Sequence, residues 1–401
     1  MKIAVVQQRY GREILGGAET HGALMARLLA RHHEDVEIVT TTAGDYQTWT
    51  EAYQPGLSEE DGLRVRRFPV VRGRSPHWVA VNEVLHAKFR QEEFAELPAH
   101  EREAFLGYVR NWPDRLQEEF IRGQGPIAPG ITTWLANAGH DAVLFLTYLY
   151  PTTYDGLDAV APGRASIVPT LHDEPAAYLP VFGRRLAGAR LLCSTETEIR
   201  LLETLHPETR FTAERLGYGI DLPTDQIHQP ESPPFLLYAG RVDTQKGIPE
   251  LLRWYVEMRE LLPNPPDLVL IGEVLMGLPS IPGLHALGFV SNKEKEDRMR
   301  RALAFIHPSP FESLGIVILE SLACRTPVLV TARSEVMKEH CRESGAGLWL
   351  RHGADLAAAV EKLSSGTLRS ELGERGRAWV EAEYGMSTYE SRLLRAFPPG
   401  S

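Results

Sequence analysis

Two glutamates, Glu312 and Glu320, lie in the segment PSPFESLGIVILE, which begins at Pro308. An apolar run precedes this segment and helical apolar spacing follows, so we expect Glu312 in a strand-to-helix turn and Glu320 about two turns into the helix. Ligands of open α/β sheets bind at the carboxyl ends of strands, where a carboxylate can accept hydrogen bonds from sugar hydroxyls. Each glutamate alone is better explained as a helix cap or a solvated residue, but the flanking Pro-Ser and Gly favour a functional site.

The start of the predicted helix also supplies main-chain donors. The N–H groups of Ser313, Leu314, Gly315 and Ile316 lie there, ahead of any helical acceptor. Unpaired amides and the positive end of the helix dipole together favour a bound diphosphate. Gly315 lacks a side chain, which lets a ligand approach the backbone closely.

A second candidate is the loop GRVDTQKG, which runs from Gly240 to Gly247 between a predicted strand and a predicted helix. Its two cations, Arg241 and Lys246, could neutralise a diphosphate leaving group without a metal ion. Arginine offers a planar fork to phosphate oxygens and lysine a point charge. The alternative is an ordinary polar loop with exposed cations. The glutamate segment in the same predicted domain favours the functional interpretation.

Two weaker candidates lie in the first half of the chain. Gly16 and Gly17, in GGAE, fit close approach to a phosphate, but they lack the G-x-G-x-x-G dinucleotide pattern. A turn without a ligand explains them nearly as well. His172, in TLHDEP, follows the apolar run SIVPT, so we expect it at the carboxyl edge of a first sheet. An imidazole there can hydrogen-bond a sugar hydroxyl, although a lone loop histidine is usually structural.

These residues need two sheets to position them. Strands and helices alternate twice, before and after the Pro-rich linker candidate 229–234, which favours α/β structure. We predict two Rossmann-like doubly wound domains, 1–228 and 235–383, facing a central cleft. A helical insertion is expected at about 79–121, and a C-terminal helix at about 384–398 is expected to cross back to the first domain. Strand candidates in the second domain are a run from Phe235, Leu268–Ile271, a run near His285–Phe289, Ala304–His307 and Pro327–Thr331.

Composition narrows the function classes. A chain of 401 residues supports two cores, and a net charge of -10 argues against bulk nucleic-acid binding. The three cysteines, Cys193, Cys324 and Cys341, form no C-x-x-C pair, which favours a reducing compartment. No Asp-x-Asp triplet or His/Cys cluster with ligand spacing predicts a metal site. The N-terminal apolar run is short for a leader, and no apolar stretch is long enough for a transmembrane segment, so we expect a cytoplasmic protein.

Together the four segments resemble the retaining glycosyltransferases of family 4, also called glycosyl transferases group 1. The similarity is dense from about Phe235 to Leu363 and thinner, but in the expected order, before that. The resemblance implies the two-domain GT-B fold and transfer of a sugar from a UDP- or GDP-linked donor to a hydroxyl acceptor. It also implies retention at the anomeric carbon, with no cofactor and no metal ion.

The resemblance further assigns roles to residues. It implies that Arg241 and Lys246 bind the donor diphosphate, together with Gly16, Gly17 and the amides of Leu314, Gly315 and Ile316. Glu320 is expected to hold the ribose hydroxyls. Glu312 and His172 are expected to contact the donor sugar near the reacting bond as catalytic residues. Val290 and Lys295 are expected near the base.

Other interpretations remain open from the sequence. A sugar-nucleotide epimerase or another enzyme on the same scaffold is the first alternative, and a catalytically silent binding subunit is the second. A nicotinamide-dependent dehydrogenase is disfavoured by the missing glycine pattern. The sequence identifies neither the donor sugar nor the acceptor, which is a saccharide, a lipid-linked species or a small molecule.

Overall fold

The computed structural model describes residues 1–14, 16–90, 98–224 and 230–400. It divides into two compact units, the first comprising Met1–Gly217 with Glu390–Ser401 and the second comprising Tyr218–Tyr389. Among the helices of these described ranges, none is both long and apolar enough to cross a membrane.

The first unit contains an eight-stranded sheet in the order β3-β4-β2-β1-β5-β6-β7-β8. All neighbouring strands run parallel except the edge strand β3, which is antiparallel to β4. The central strands are continuous apolar runs because helices cover both faces of such a sheet. The strands are β1 (Lys2–Val6), β2 (Asp35–Thr41), β3 (Gly56–Glu60), β4 (Leu63–Phe68), β5 (Ala142–Leu146), β6 (Ala165–Val168), β7 (Arg190–Cys193) and β8 (Thr212–Arg215).

Most helices of the first unit connect successive strands, and the long segment between β4 and β5 holds four of them, of which the first three are α2 to α4. The predicted insertion coincides with these three helices, except for residues 91–97, which lie outside the described residues. The helices are α1 (Gly17–Ala30), α2 (Pro76–Arg90), α3 (Ala99–Arg110), α4 (Asp114–Gln124), α5 (Pro129–Asn137), α6 (Pro151–Tyr154), α7 (Pro180–Leu186) and α8 (Glu196–Leu205).

A buried polar network joins β2 to β4 in the first unit. The Glu37 carboxylate is 1% exposed and lies 2.9 Å from His140 Nε2. It also accepts hydrogen bonds from Trp134 Nε1 and Arg66 Nε, each at 3.1 Å. Burial opposes the charge on Glu37, but these three partners together lower its pKa to about 2.

The second unit contains six strands, all parallel, in the order β11-β10-β9-β12-β13-β14. Numbered within the unit, this is the 3-2-1-4-5-6 order of the Rossmann fold. Its strands are β9 (Phe235–Ala239), β10 (Asp267–Ile271), β11 (Leu284–Ala286), β12 (Ala304–His307), β13 (Val328–Thr331) and β14 (Gly347–Leu350). Its helices are α9 (Ile248–Leu261), α10 (Asn292–Arg301), α11 (Ile316–Ala323), α12 (Glu335–Ser344), α13 (Gly353–Leu363) and α14 (Thr367–Tyr384). The prediction of two doubly wound α/β units is confirmed.

The last helix, α15 (Met386–Ala396), carries the chain from the second unit into the first. His33 Nε2 lies 3.1 Å from the Phe397 carbonyl, and Arg190 donates to the Ala396 carbonyl at 3.0 Å. The C-terminal residues therefore complete the first unit, as the sequence predicted.

The division between the units falls after Gly217, ahead of the predicted boundary at 228. The Ile220 amide donates to the Tyr384 carbonyl at 2.8 Å, and Arg377 donates to the Pro223 carbonyl at 3.0 Å. These bonds hold residues 218–223 against helix α14. The linker candidate begins at Gln229, which lies outside the described residues.

Candidate active site

The second unit places its two motif loops at one edge of the sheet. Strands β9 and β12 are neighbours, paired through Leu236 with Ala304 and Leu237 with Phe305. The chain order reverses between them, which makes this the topological switch point where open α/β sheets bind ligands. The cation loop leaves the carboxyl end of β9, and the glutamate segment leaves the carboxyl end of β12. Both loops therefore line the same crevice of the second unit.

The two loops touch at Gly247. This residue has φ +73°, and a side-chain carbon built on it would lie 2.5 Å from the carbonyl oxygen of Pro308. A left-handed conformation and a backbone neighbour at this distance both require glycine. The contact fixes the distance between the cation loop and the glutamate segment.

Glu312 and Lys246 form an ion pair across this contact. Lys246 Nζ lies 2.7 Å from Glu312 Oε1, and the two side chains are 26% and 13% exposed. Burial alone would raise the pKa of Glu312, but the Lys246 ammonium and a contact with His307 hold it well below its usual range. The structure thus brings together the predicted catalytic carboxylate and a predicted diphosphate ligand, with the carboxylate ionised.

His307 is a third member of this cluster that the sequence analysis did not identify. Its Nε2 lies 3.1 Å from the same Glu312 Oε1, and its side chain is 4% exposed. Its ring stacks near-parallel to those of Tyr238 and Phe305, at centroid distances of 6.1 and 6.3 Å. The available signal was a histidine that ends an otherwise apolar strand immediately before the glutamate segment.

The cation loop is braced by a residue that the sequence analysis also passed over. Asp243 accepts a hydrogen bond from the Lys246 amide at 2.8 Å and lies 3.4 Å from Arg241 Nη1. The Tyr238 hydroxyl donates to the Arg241 carbonyl at 2.7 Å. Arg241 remains 35% exposed, so its guanidinium is accessible to a ligand.

Helix α11 begins where the glutamate segment predicted it. Gly315 precedes the helix with φ +70°, and Ile316 is its first residue. The Leu314 carbonyl lies 2.7 Å from His340 Nε2, which holds the turn against α12. The first N–H groups of the helix point out of its amino end, where a helix has no internal acceptors for them.

Glu320 lies on α11 and pairs with Lys295 from α10. Lys295 Nζ lies 2.8 Å from one carboxylate oxygen of Glu320 and 2.7 Å from the other. The position of Lys295 near a base stays a prediction, and its ammonium contacts Glu320, the residue predicted to bind the ribose. Val290 follows β11 and is partly exposed ahead of α10.

In the first unit, the glycine pair lies at the carboxyl end of β1. Gly16 caps α1 in an extended conformation, and Gly17 is the first residue of that helix. Arg9 Nε donates to Glu19 Oε1 at 3.0 Å beside the cap. Strands β1 and β5 meet at the switch point of this sheet, so the pair occupies the corresponding position in the first unit.

His172 lies in the loop after β6, with its side chain 32% exposed and Nδ1 3.7 Å from Glu174 Oε1. The buried Glu198 fastens this loop by accepting the amides of Leu171 and Ser194, each at 2.6 Å. Burial raises the pKa of Glu198 to about 7, against the effect of these donors. The sequence analysis did not identify Glu198, because its role depends on two loops that are distant in the chain.

The structure therefore groups the predicted residues in two sets. The second unit holds Arg241, Lys246, Glu312, Glu320 and the α11 start, and the first unit holds His172 and the glycine pair. Among the described residues, no group of three or more His, Cys, Asp or Glu side chains has the arrangement of a metal site.

The second unit matches a known protein family. Residues 224–379 match the family model described as "Glycosyl transferases group 1". The second unit is a group 1 glycosyltransferase domain. The match spans both motif loops, α11 and Lys295, so the crevice described above belongs to a glycosyltransferase, and the chain is an enzyme of this class.

Full-length similarities agree with the family match. The chain is 25% identical over 357 residues to a D-inositol 3-phosphate glycosyltransferase of Xylanimonas cellulosilytica, covering 79% of this chain and 75% of the relative. Sucrose-phosphate synthase from Thermosynechococcus elongatus superposes with a TM-score of 0.65 at 16% identity, covering 99% and 98% of the two chains. Anabaena HepE, solved with UDP and glucose, superposes with a TM-score of 0.64 at 14% identity, covering 99% of each chain. These similarities show the GT-B fold of the glycosyltransferase.

Proposed function

We propose that this glycosyltransferase moves a sugar from a UDP- or GDP-linked donor to a hydroxyl acceptor, with retention of anomeric configuration and without a divalent metal ion. The observation that carries the proposal is the switch-point crevice of the second unit. There, two cations and the start of a helix lie beside an ionised glutamate.

The leaving group is the feature that this crevice fits best. When the bond between the anomeric carbon and the diphosphate breaks, negative charge accumulates on the departing oxygen. Arg241 and Lys246 neutralise that charge, and the amino end of α11 adds its dipole and main-chain donors. Fixed charges that face a developing charge in a partly dry site are commonly the largest catalytic contribution. Two cations and a helix end thus neutralise the leaving group, as a divalent ion does in other transferases.

The remaining residues follow from this placement. Glu320 accepts hydrogen bonds from the ribose hydroxyls, either while it still contacts Lys295 or after that contact has broken. Val290 borders the position of the base. Glu312 contacts the donor sugar. The family resemblance also assigns His172 to the donor sugar.

Retention follows if the acceptor oxygen attacks the anomeric carbon from the side that the diphosphate leaves. The new bond joins that carbon to the acceptor oxygen, the old bond to the diphosphate oxygen breaks, and the acceptor proton passes to the departing diphosphate. Support comes from trehalose-6-phosphate synthase, a structural neighbour studied for glycosyltransfer with retention, which superposes with a TM-score of 0.65 at 14% identity. The neighbour HepE was solved with UDP-glucose, which favours a uridine donor as the first to test.

The test is release of UDP or GDP from UDP-glucose and GDP-mannose, measured with EDTA and again with added Mg²⁺. We expect slow release by hydrolysis from one of the two donors, at equal rates in both conditions. Release only with Mg²⁺ would contradict metal independence. Conversion of the sugar while it stays linked to the nucleotide would favour an epimerase, and no release from either donor would favour a silent binding subunit.

The three cysteines bear on the compartment. Cys193, Cys324 and Cys341 are buried free thiols in the structure. Free thiols persist in a reducing environment, which supports the proposal that the enzyme works in the cytoplasm, where nucleotide sugars are at hand.

A further inference from the structure

Glu312 meets two partners at a single oxygen atom. Lys246 Nζ and His307 Nε2 both contact Oε1, at 2.7 and 3.1 Å. Lys246 is also the residue that the proposed function assigns to the donor diphosphate. A diphosphate carries more charge than a carboxylate, so a bound donor competes with Glu312 for the ammonium. Glu312 therefore needs its other partner, His307, once a donor is bound.

His307 and Lys246 differ in how firmly they are held. His307 ends strand β12, whose backbone is paired on both sides, and its ring is packed beside Tyr238 and Phe305. Lys246 extends from a loop on a flexible four-carbon stem and is 26% exposed. The histidine is therefore the fixed partner of Glu312 and the lysine the movable one.

The hydrogen-bonding of the ring supports a donor role for His307. Its Nδ1 is buried and has no hydrogen-bond partner among the described residues. An imidazolium would leave a buried N–H donor unsatisfied there, which is costly. The neutral ring with its proton on Nε2 avoids that buried donor, because its single N–H is donated to Glu312.

From this arrangement we infer that His307 is a positioning residue that keeps Glu312 ionised and oriented while the donor diphosphate draws Lys246 away. The inference rests on the proposed function, because it requires a diphosphate in the crevice. It adds a residue that acts on the reacting groups only through Glu312.

The charged groups around Glu312 determine the sign of the pH effect. Lys246 and His307 contact it, Tyr238 flanks His307, and Arg241 and Asp243 lie on the facing loop. Removing the His307 hydrogen bond raises the pKa of Glu312 towards its ordinary value, and donor binding raises it further by removing Lys246. The acid limb of activity should therefore move to higher pH in a variant without this donor.

The experiment compares His307→Leu, which removes the donor, with His307→Gln, whose amide nitrogen can replace Nε2. His285→Gln is the matched control, because this histidine is exposed on β11 of the same sheet. The probes are UDP-glucose and GDP-mannose for acceptor-independent hydrolysis between pH 4.5 and 8, and UDP and GDP for binding. Circular dichroism checks that each variant is folded at each pH.

For His307→Leu we expect nucleotide affinity within about threefold of the wild type and kcat lowered about ten- to a hundredfold, the range for losing a hydrogen bond to a charged group. Its acid limb should lie at higher pH. His307→Gln should recover most of the rate and the wild-type profile, and His285→Gln should match the wild type throughout.

A folded His307→Leu variant with the wild-type pH profile and rate would overturn the inference while leaving the proposed function intact. Failure of the wild type itself to bind either nucleotide would instead reject the proposed function. A crystal structure with UDP or GDP gives a readout that is independent of turnover. It should show Lys246 on a phosphate and His307 still on Glu312, and a broken His307–Glu312 contact would overturn the inference.

Discussion

Replacing Gly247 by alanine should disrupt the crevice more than the same change at Gly345, a left-handed glycine of the second unit where an added carbon would meet only a flexible side chain. Gly247 has φ +73°, and an added side-chain carbon would lie 2.5 Å from the Pro308 carbonyl oxygen. That oxygen belongs to the backbone of the facing loop, so it cannot rotate out of the way. The loops must separate, which moves Lys246 away from Glu312.

The magnitude has two parts. A non-glycine residue in the left-handed region costs roughly 1–2 kcal/mol, and relieving an overlap in a packed region adds roughly 1–3 kcal/mol. We therefore expect Gly247→Ala to lower the free energy of unfolding of the second unit by roughly 2–5 kcal/mol. Gly345 is the matched control in the same unit, because it is left-handed like Gly247, with φ +57°, and an added carbon there would lie 3.7 Å from the flexible Arg375 side chain. Gly345→Ala should cost only the first part.

Differential scanning calorimetry of the full chain measures the stability, and calorimetric titration with UDP and GDP measures the site. Gly247→Ala should unfold at a lower temperature than Gly345→Ala and should lose nucleotide affinity, whereas Gly345→Ala should bind as the wild type does. Gly315→Ala should be intermediate, since the added carbon there meets only the flexible end of Met337. Equal stability and equal affinity for the Gly247 and Gly345 variants would refute the proposed contact between the loops.

Two further predictions concern single carboxylates. The pKa of Glu37 is lowered from 4.5 to about 2. The contribution of its charge to the free energy of unfolding is therefore complete above pH 4.5 and is lost as pH falls towards 2. The shift corresponds to about 3 kcal/mol. Urea unfolding should show Glu37→Gln less stable than the wild type by roughly 2–3 kcal/mol at pH 7, with the gap closing below pH 4, and a gap independent of pH would contradict the assigned charge. Glu312→Ala should abolish turnover while retaining much of the nucleotide binding, and a variant that turned over normally would remove Glu312 from the reaction.

Much of the second unit could be predicted from sequence because its local signals agree with its tertiary structure. The strand Ala304–His307 was predicted with the bounds that the structure shows, and helix α11 begins within the segment that was predicted to start a helix. Both elements are apolar and bounded by Pro or Gly, so the pattern and the fold impose the same boundaries. The residues of the crevice could be grouped from the sequence, because two loops that leave adjacent parallel strands must meet at one edge of the sheet.

The missed features depend on contacts that no local sequence pattern marks. Strand β3 has the sequence GLSEE, is largely exposed and forms only because it pairs with β4, so no apolar alternation marks it. His307 and Glu198 look like an ordinary strand end and an ordinary helix residue until the loops beside them are placed. Lys295 was assigned to a base by resemblance, and only the packing of α10 beside α11 shows that it reaches Glu320.

Calorimetric titration of UDP and GDP in the presence of EDTA tests the central claim most directly, with wild type, Lys246→Met and Lys362→Met compared. Lys362 is an exposed lysine on α13 of the same unit and controls for loss of one positive charge. We expect the wild type and Lys362→Met to bind one of the two nucleotides equally well without metal, and Lys246→Met to bind it about ten- to a hundredfold more weakly. Wild-type affinity in Lys246→Met, or binding that requires Mg²⁺, would contradict the account.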